Sequence, residues 1–218
     1  MVYYLAKGGE DMEILYQDDD IVVCVKPVGV ESEKELPSRL AQMLGGEIFA
    51  LHRLDLNVGG VMVFARNKAA AGKLSAQIAN GEMVKEYLAL VKGVPEESGI
   101  WEDFLFKDSR KNKVFVVKKQ RAGVKLAKLA YRVLEKGEQS LVHIRLFTGR
   151  SHQIRVQFAS RGFPLLGDHK YGARDENKAP MLFSCRITFY LRGKKMQFWA
   201  LPDFAPEACL EEFVWEQD

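Results

Sequence analysis

Short runs of apolar residues, many of them β-branched or aromatic, recur along the chain and predict strands. Turn-forming residues separate these runs, and few segments show the spacing of an amphipathic helix. Strands therefore outnumber helices, which favours an α+β fold with a mixed, largely antiparallel β-sheet and flanking helices over a regular parallel alternation. The predicted strands are residues 21–25, 61–65, 87–91, 114–117, 141–147 and 196–200.

Three segments have the pattern of a helix. Asn67 is a suitable N-cap for a helix that runs to about residue 80, where Gly81 ends it. A second helix is predicted to begin at Ser151 and to stop at Gly162, shortly before a proline. A weaker pattern predicts a third helix over residues 37–44.

The composition is typical of a globular protein and indicates the cellular compartment in which it works. With 218 residues and 47% hydrophobic content, the chain can bury the core of one large domain or two small ones. It shows no signal peptide and no apolar run of bilayer length, so we expect no membrane partner. Cys24, Cys185 and Cys209 lie far apart in the sequence, which favours reduced thiols and a cytoplasmic location.

Positive charge is concentrated in one stretch of the chain. The net charge of +3 is too small to indicate a nucleic-acid binder. The segment from residue 107 to 128, however, holds nine positive charges and the single acid Asp108, and such a patch can follow a phosphate backbone. A solvated, lysine-rich hairpin face explains the same pattern equally well. The positive residues are Lys107, Arg110, Lys111, Lys113, Lys118, Lys119, Arg121, Lys125 and Lys128.

The first chemical motif is the run His52-Arg53-Leu54-Asp55, which precedes Gly59-Gly60 and a predicted buried strand. Ionisable groups at the end of an element can be aimed by a rigid frame, as a catalytic site requires. Taken alone, an arginine and an aspartate two residues apart more often form a surface ion pair.

The second motif is the run Thr148-Gly149-Arg150-Ser151-His152-Gln153-Ile154-Arg155, where a predicted strand turns into a predicted helix. Free backbone amides at a helix start favour anions, and the planar donor forks of Arg150 and Arg155 suit phosphates or a carboxylate. The alternative is ordinary helix capping by Ser151 with both arginines in solvent.

These two motifs and the run Lys85-Glu86-Tyr87-Leu88-Ala89-Leu90-Val91 resemble, in order, three signature segments of RluA-type RNA pseudouridine synthases. Two flanking segments resemble the same family. They are Asp20-Ile21-Val22-Val23-Cys24-Val25-Lys26-Pro27-Val28-Gly29 and Gly162-Phe163-Pro164-Leu165-Leu166-Gly167-Asp168-His169-Lys170-Tyr171-Gly172, so the likeness covers most of the chain.

The resemblance implies the pseudouridine synthase fold, an isomerase that converts uridines of structured ribosomal or transfer RNA, and no metal or other cofactor. Asp55 would be the catalytic residue, as a nucleophile or as a base. Tyr87 would lie against the target base, and Arg155 would pair with Asp55, with Arg150 as the less favoured candidate for that pairing. Arg53 would fill the stack that the flipped base vacates. The further candidates for RNA contact are His52, Arg150, His152, Lys111, Lys113, Lys118 and Lys119.

This chain departs from the family pattern at the catalytic loop. Family members usually continue the aspartate motif with Thr-Ser-Gly, whereas this chain has Val58-Gly59-Gly60, which predicts a less firmly held loop. Relatives often show histidine in the opening segment and after the arginine motif, where this chain has Glu31-Ser32 and Gln157. We expect the active site itself to be retained and the RNA contacts to differ.

The resemblance also predicts the organisation of the protein. Residues 1–218 are expected to form a single catalytic domain without a separate S4 RNA-binding domain, and to act as a monomer. Two alternatives remain. A catalytically silent RNA-binding protein would have no chemical need for Asp55, Tyr87 and Arg155 together, and a glycoside hydrolase would need a second carboxylate in a motif.

Overall fold

The computed structural model describes residues 12–207 and residue 209. The strands are β1 (Glu13–Gln17), β2 (Ile21–Lys26), β3 (Phe49–Ala50), β4 (Gly59–Ala65), β5 (Val84–Lys92), β6 (Ser98–Asp108), β7 (Lys113–Val117), β8 (Val124–Glu135), β9 (Gln139–Leu146), β10 (Leu182–Leu191) and β11 (Lys194–Trp199). The helices are α1 (Glu35–Leu44), α2 (Lys68–Asn80) and α3 (Gln153–Ala159), with a 3₁₀ turn at His169–Tyr171.

The chain forms two compact units. The first comprises the chain up to Glu86 together with Phe183–Asp203, and the second comprises Tyr87–Leu182 and the residues from Phe204 onward. The first unit is therefore built from two separate stretches of sequence, and its last strands come from the end of the chain.

The strands of the first unit lie in the order β1-β2-β4-β10, with β3 paired to β4 and β11 paired to β10. The pairing of β4 with β10 is parallel, whereas β1–β2, β2–β4 and β10–β11 are antiparallel. Every residue of β2 and β4 is buried, which explains why these two strands appear in the sequence as continuous apolar runs.

The helix after β4 forms as its sequence predicts. The Asn67 side chain accepts a hydrogen bond from the Ala70 N–H at 2.9 Å, and Gly81 ends the helix in the left-handed conformation at φ 75°. The predicted third helix also forms, as α1, but begins two residues earlier than its pattern indicated.

The second unit carries its strands in the order β5-β9-β8-β6-β7. Antiparallel pairing joins β6 to β7, β6 to β8 and β8 to β9. Helix α3 packs on one face of these strands, where Val156 meets Leu105, Val114 and Ala127 in a buried cluster. The core of this unit thus lies between α3 and one side of its sheet.

The predicted fold class is confirmed, since the sheet pairings are mixed and largely antiparallel with flanking helices. All six predicted strands are present, but β1, β3, β6, β8 and β10 were missed. The helix predicted at Ser151 begins only at Gln153 and ends at Ala159, because His152 adopts a left-handed conformation with φ 50° that delays the first helical turn. Among the described residues, no helix has the length and apolar character needed to cross a membrane.

Candidate active site

Asp55 lies in the first unit, on the loop that leads into β4. The preceding residue, Leu54, is bound at both backbone groups by the buried hydroxyl of Ser32, which donates to its carbonyl at 3.0 Å and accepts from its N–H at 3.3 Å. On the other side, the Val58 N–H donates to the Asp55 carbonyl at 3.0 Å. The backbone on either side of the carboxylate is thereby fixed.

A buried lysine ties this loop to the turn after β2. The Lys26 ammonium donates to three carbonyl oxygens, those of Pro27 at 2.9 Å, Val30 at 2.7 Å and Leu56 at 3.1 Å. Burial lowers the pKa of Lys26 to about 8, and the negative charge of Asp55 partly opposes that shift. The ammonium of Lys26 is thus bound to the backbone of Leu56, the residue that follows Asp55.

Gly60 meets a steric need at the start of β4. It has φ 126°, and a Cβ there would lie 2.4 Å from backbone atoms of Ser184 in β10, so only glycine fits. The Ser184 hydroxyl in turn donates to the Val61 carbonyl at 3.0 Å. Backbone hydrogen bonds, Ser32, Lys26 and this close strand contact thus hold the loop of this chain without the usual threonine and serine. That it is less firmly held than the loop of family members stays a prediction.

His52 and Arg53 have different surroundings. The His52 Nε2 accepts a hydrogen bond from the Val63 N–H at 3.3 Å, and burial lowers the pKa of the imidazole to about 3, with the Lys85 charge acting in the same direction. The neutral ring fastens the loop to β4. Arg53 is exposed and lies 3.7 Å from Glu33, so its guanidinium is accessible to a polyanion.

Arg155 lies in the second unit, on α3, and holds a bidentate ion pair with Asp168. Its Nε and Nη2 lie 2.7 and 2.9 Å from the two carboxylate oxygens, and both side chains are buried. The guanidinium also lies 5.2 Å from the ring centre of Tyr171. Asp168 and Tyr171 therefore determine the direction in which Arg155 points.

The Tyr171 hydroxyl connects α3 to the neighbouring strand. It accepts a hydrogen bond from the Val114 N–H at 2.8 Å and lies 2.9 Å from Nδ1 of His152. His152 is thus fixed at the entry of α3 by a tyrosine that also contacts Arg155. The imidazole is only partly exposed, so only part of its surface is accessible to RNA.

The side chain of Gln153 organises the turn before α3. Its side-chain oxygen accepts from the Thr148 hydroxyl at 2.8 Å and from the Arg150 N–H at 3.0 Å, and its Nε2 donates to the Lys128 carbonyl at 3.1 Å. The Arg150 side chain is exposed and donates to the Leu126 carbonyl at 2.9 Å. Arg150 thus lies along β8, outside the buried pair that Arg155 forms.

Tyr87 is buried in β5, with 6% of its surface exposed. The preceding residue, Glu86, points to the opposite face of the strand, as alternation requires. Glu86 is fully buried and forms an ion pair with Arg186, whose guanidinium lies 4.4 Å from the ring centre of Trp199. This buried pair fixes the strand immediately before Tyr87.

The basic segment, which is residues 107–128 with their nine positive charges, spans the end of β6, all of β7 and the start of β8. Its first turn is closed by Asp108, whose Oδ1 accepts from the backbone N–H groups of Arg110 and Lys111 at 3.0 and 3.1 Å. The Lys113 ammonium lies 5.9 Å from the ring centre of Phe115 and 5.2 Å from that of Tyr171. The side chains of Lys111, Lys118 and Lys119 are exposed.

The structure thus places the predicted site residues in two groups. The loop with His52, Arg53 and Asp55 belongs to the first unit, and Tyr87, Arg150, His152 and Arg155 belong to the second. Sequence reasoning assigned no role to Lys26, Ser32 or Asp168. Lys26 and Asp168 lie within the flanking segments that resemble the family, so those segments carried the signal for both.

Comparison with known proteins supports the same family. The family model described as RNA pseudouridylate synthase matches residues 20–160. The chain is 33% identical over 208 residues to the dual-specificity RNA pseudouridine synthase RluA of Escherichia coli, covering 88% of this chain and 93% of that protein. It is 32% identical over 188 residues to tRNA pseudouridine synthase C of Vibrio cholerae, covering 77% of each chain.

Other relatives are longer than this chain. It is 33% identical over 203 residues to ribosomal large subunit pseudouridine synthase D of Borreliella burgdorferi, a match that covers 84% of this chain but only 60% of that protein. The same 60% holds for an uncharacterized RNA pseudouridine synthase of Aquifex aeolicus. This chain thus spans about three fifths of the length of these two relatives.

A solved structure has the same fold. Human RNA pseudouridylate synthase domain containing 1 superposes with a TM-score of 0.80 and 26% sequence identity, covering 92% of this chain and 88% of that one. The matched family model spans well over half of the chain, and the motifs that carry the resemblance lie within or directly after it. The chain therefore belongs to the RNA pseudouridylate synthase family and is of the RluA type.

Proposed function

We propose that this protein isomerises specific uridines of structured ribosomal or transfer RNA to pseudouridine, with Asp55 as the catalytic residue. Family membership and the substrates named for its relatives support this function. The single observation that carries it is the loop of Asp55, which Ser32, Lys26 and backbone hydrogen bonds hold in one position. A reactive group must be held in this way to meet one atom of its substrate.

The reaction needs only acid–base or nucleophilic chemistry. The bond between ribose C1′ and uracil N1 breaks, the uracil turns, its C5 joins C1′, and C5 then loses its proton. One carboxylate can assist cleavage as a base or form a transient covalent bond as a nucleophile. The buried ammonium of Lys26 donates to the carbonyl of Leu56, the residue after Asp55, and so helps to hold the loop that carries the carboxylate.

We assign supporting roles to Arg155 and Tyr87. Arg155 is oriented by Asp168 and Tyr171, so its charge can be offered in a fixed direction without reorganisation. Its pairing with Asp55, in preference to Arg150, stays a prediction from the family resemblance. Tyr87 would stack on the target uracil, with its hydroxyl near C5.

RNA would be held by residues with accessible positive charge. Arg53 would fill the stack that the extruded base leaves, and Arg150 and the lysines of the basic segment would contact phosphates. His52 would act indirectly, by holding the loop against β4. We further propose that the protein acts as a monomer with a single catalytic domain.

The test is tritium release from RNA labelled at uridine C5 and prepared from cells that lack this protein. Wild-type protein should release tritium, whereas Asp55→Asn should release none and bind RNA as before, because it loses the carboxylate and keeps its shape. Asp19→Asn is the matched control, since Asp19 is exposed and, within the part of the chain that the structure describes, takes part in hydrogen bonding only through its backbone carbonyl. Release by Asp55→Asn would disprove the assignment, and no release by wild type from any RNA would disprove the function.

A further inference from the structure

The strands β6, β7 and β8 have one covered and one exposed face. Residues directly paired across antiparallel strands share a face. The face with Leu105 and Ala127 is covered by α3. The opposite face, called here the outer face, carries the directly paired side chains of Phe104, Phe106, Phe115, Val117, Val124 and Leu126.

Large apolar side chains on and beside the outer face are accessible to solvent. The exposed fractions are 66% for Ile100, 42% for Leu126 and 37% for Phe115, and Phe147, which follows β9, is 46% exposed. Single exposed apolar residues are common, but a contiguous group of them marks a surface that binds something.

Cations lie next to the aromatic rings of this surface. The Arg121 guanidinium is 5.1 Å from the ring centre of Phe106, and the Lys113 ammonium is 5.9 Å from that of Phe115. Lys128 and Arg145 lie 5.7 and 5.8 Å from the ring centre of Phe147. Four cations therefore lie beside the rings of this surface, and one of them, Lys128, also lies 3.8 Å from the carboxylate of Glu102.

We infer that the outer face binds unpaired RNA, with bases stacked on the rings of Phe115 and Phe147 and phosphates bound by the adjacent cations. The inference rests on the proposed function, because it takes RNA as the partner. Aromatic rings offer a stacking surface to any base, and lysine and arginine follow the backbone between them. Bases within a duplex already stack on each other, so such a surface selects unpaired nucleotides.

The charge of the surface decides between RNA and a second copy of this chain. Two outer faces brought together would oppose the same set of positive charges, which disfavours association. A polyanion neutralises these charges and releases its counterions on binding. We therefore assign the surface to nucleotides that flank the target uridine in a loop or single strand.

The experiment measures binding of a fluorescein-labelled ten-nucleotide oligouridine RNA by anisotropy over a series of salt concentrations. Phe115→Leu and Phe147→Leu keep an apolar side chain and remove the ring, and each should raise the Kd about tenfold. The dependence of Kd on salt should stay as in wild type, because no charge is lost. Tyr190→Leu is the matched control, since Tyr190 is a half-exposed aromatic residue of β10 and should bind as wild type.

The outcomes separate this inference from the proposed function. Stacking on the outer face is disproved if both leucine variants bind the oligouridine with the Kd of wild type. It is also disproved if they raise the Kd for an RNA duplex of equal length as much as the Kd for the oligouridine. If wild type forms dimers in sedimentation that both variants abolish, the face binds a second copy and the inference is wrong. Ring-dependent binding without tritium release in the activity assay would support the inference while the proposed function fails.

Discussion

The carboxylate of Asp168 holds the guanidinium of Arg155 by two hydrogen bonds, of 2.7 and 2.9 Å, within the second unit. The backbone of Asp168 is also held in place, because its carbonyl oxygen accepts hydrogen bonds from the N–H groups of Tyr171 and Ala173 at 2.9 and 3.1 Å. Since both side chains are buried, water cannot replace either partner. The loop after α3 thereby orients an arginine thirteen residues earlier in the chain.

Asp168→Asn should lower the free energy of unfolding by about 3 kcal/mol, because the Arg155 charge stays buried without its counter-ion. Urea unfolding measures the change. Combining Asp168→Asn with Arg155→Met removes both charges and should recover part of the loss. A single variant as stable as wild type would show that the pair contributes nothing to folding.

Lys26→Met should leave the carbonyl oxygens of Pro27, Val30 and Leu56 without their buried donor. We expect a lower kcat with little change in RNA affinity, and a loss of about 2 kcal/mol or more in the free energy of unfolding. Single-turnover rates and urea unfolding check both effects. Lys73→Met, on the exposed side of α2, is the control and should match wild type in both measurements.

His143 should make stability depend on pH. Burial first, and then the charges of Arg132 and Arg145, lower its pKa to about 3, so the unfolded chain binds a proton near pH 6.5 that the folded chain refuses. His143 should therefore contribute a fall in the free energy of unfolding as pH drops from 6.5 toward 5, of up to about 1.4 kcal/mol per pH unit. His143→Gln should make that slope shallower in urea unfolding. The exposed His169, whose pKa is raised by hydrogen bonds to backbone carbonyls, provides the control, and His169→Gln should not flatten the slope.

Neutralising exposed lysines of the basic segment should weaken RNA binding and reduce its salt dependence. For Lys118→Gln with Lys119→Gln, each lost phosphate contact lowers the slope of log K against log salt by about 0.7 to 0.9. Filter binding at several salt concentrations gives the slope. Lys194→Gln with Lys195→Gln replaces an equally adjacent exposed pair in the first unit. Equal behaviour of the two double variants would favour a solvated face with no part in binding.

Tyr87→Phe and Arg155→Met should fail at different steps. The phenylalanine keeps a ring to stack on uracil and loses the hydroxyl, so RNA binding should stay normal while product formation stalls after glycosidic cleavage. Arg155→Met should slow cleavage itself, because the positive charge proposed to orient Asp55 is lost. Single-turnover measurements on a substrate hairpin separate the two. If Arg150→Met has the effect expected of Arg155→Met, the pairing belongs to Arg150.

Whether a strand could be predicted depended on whether its apolar run is unbroken. The strands β2 and β4 are buried on both faces and have such runs, whereas Ser184, Arg186 and Thr188 interrupt the run of β10, which is buried at nine of its ten residues. The strands β6 and β8 alternate between the face under α3 and the outer face, and charged residues interrupt their pattern. Helix α3 begins later than predicted because the backbone of His152 is left-handed, and the residue pattern of this segment does not predict that conformation.

The candidate site was predictable only where chemistry lies in a contiguous motif. Asp55 and Arg155 lie within such motifs, and the family resemblance made them candidates. Ser32 meets Leu54 across 22 residues, and Asp168 meets Arg155 across 13, so neither contact has a local signal. The contacts made by Ser32 and Asp168 are visible only in the folded structure, because their partners are distant in sequence.

The close approach of Gly60 to Ser184 also bears on the order of events during translation. Strand β4 needs a neighbour that is synthesised more than a hundred residues later, and long-range pairing of this kind forms slowly. A nascent chain folds from its N-terminus as it leaves the ribosome, so the loop of Asp55 lacks one of its supports until β10 has emerged. A chain that has not yet reached β10 therefore carries the motif without this support, and the full set of supports arises only after β10 has been synthesised.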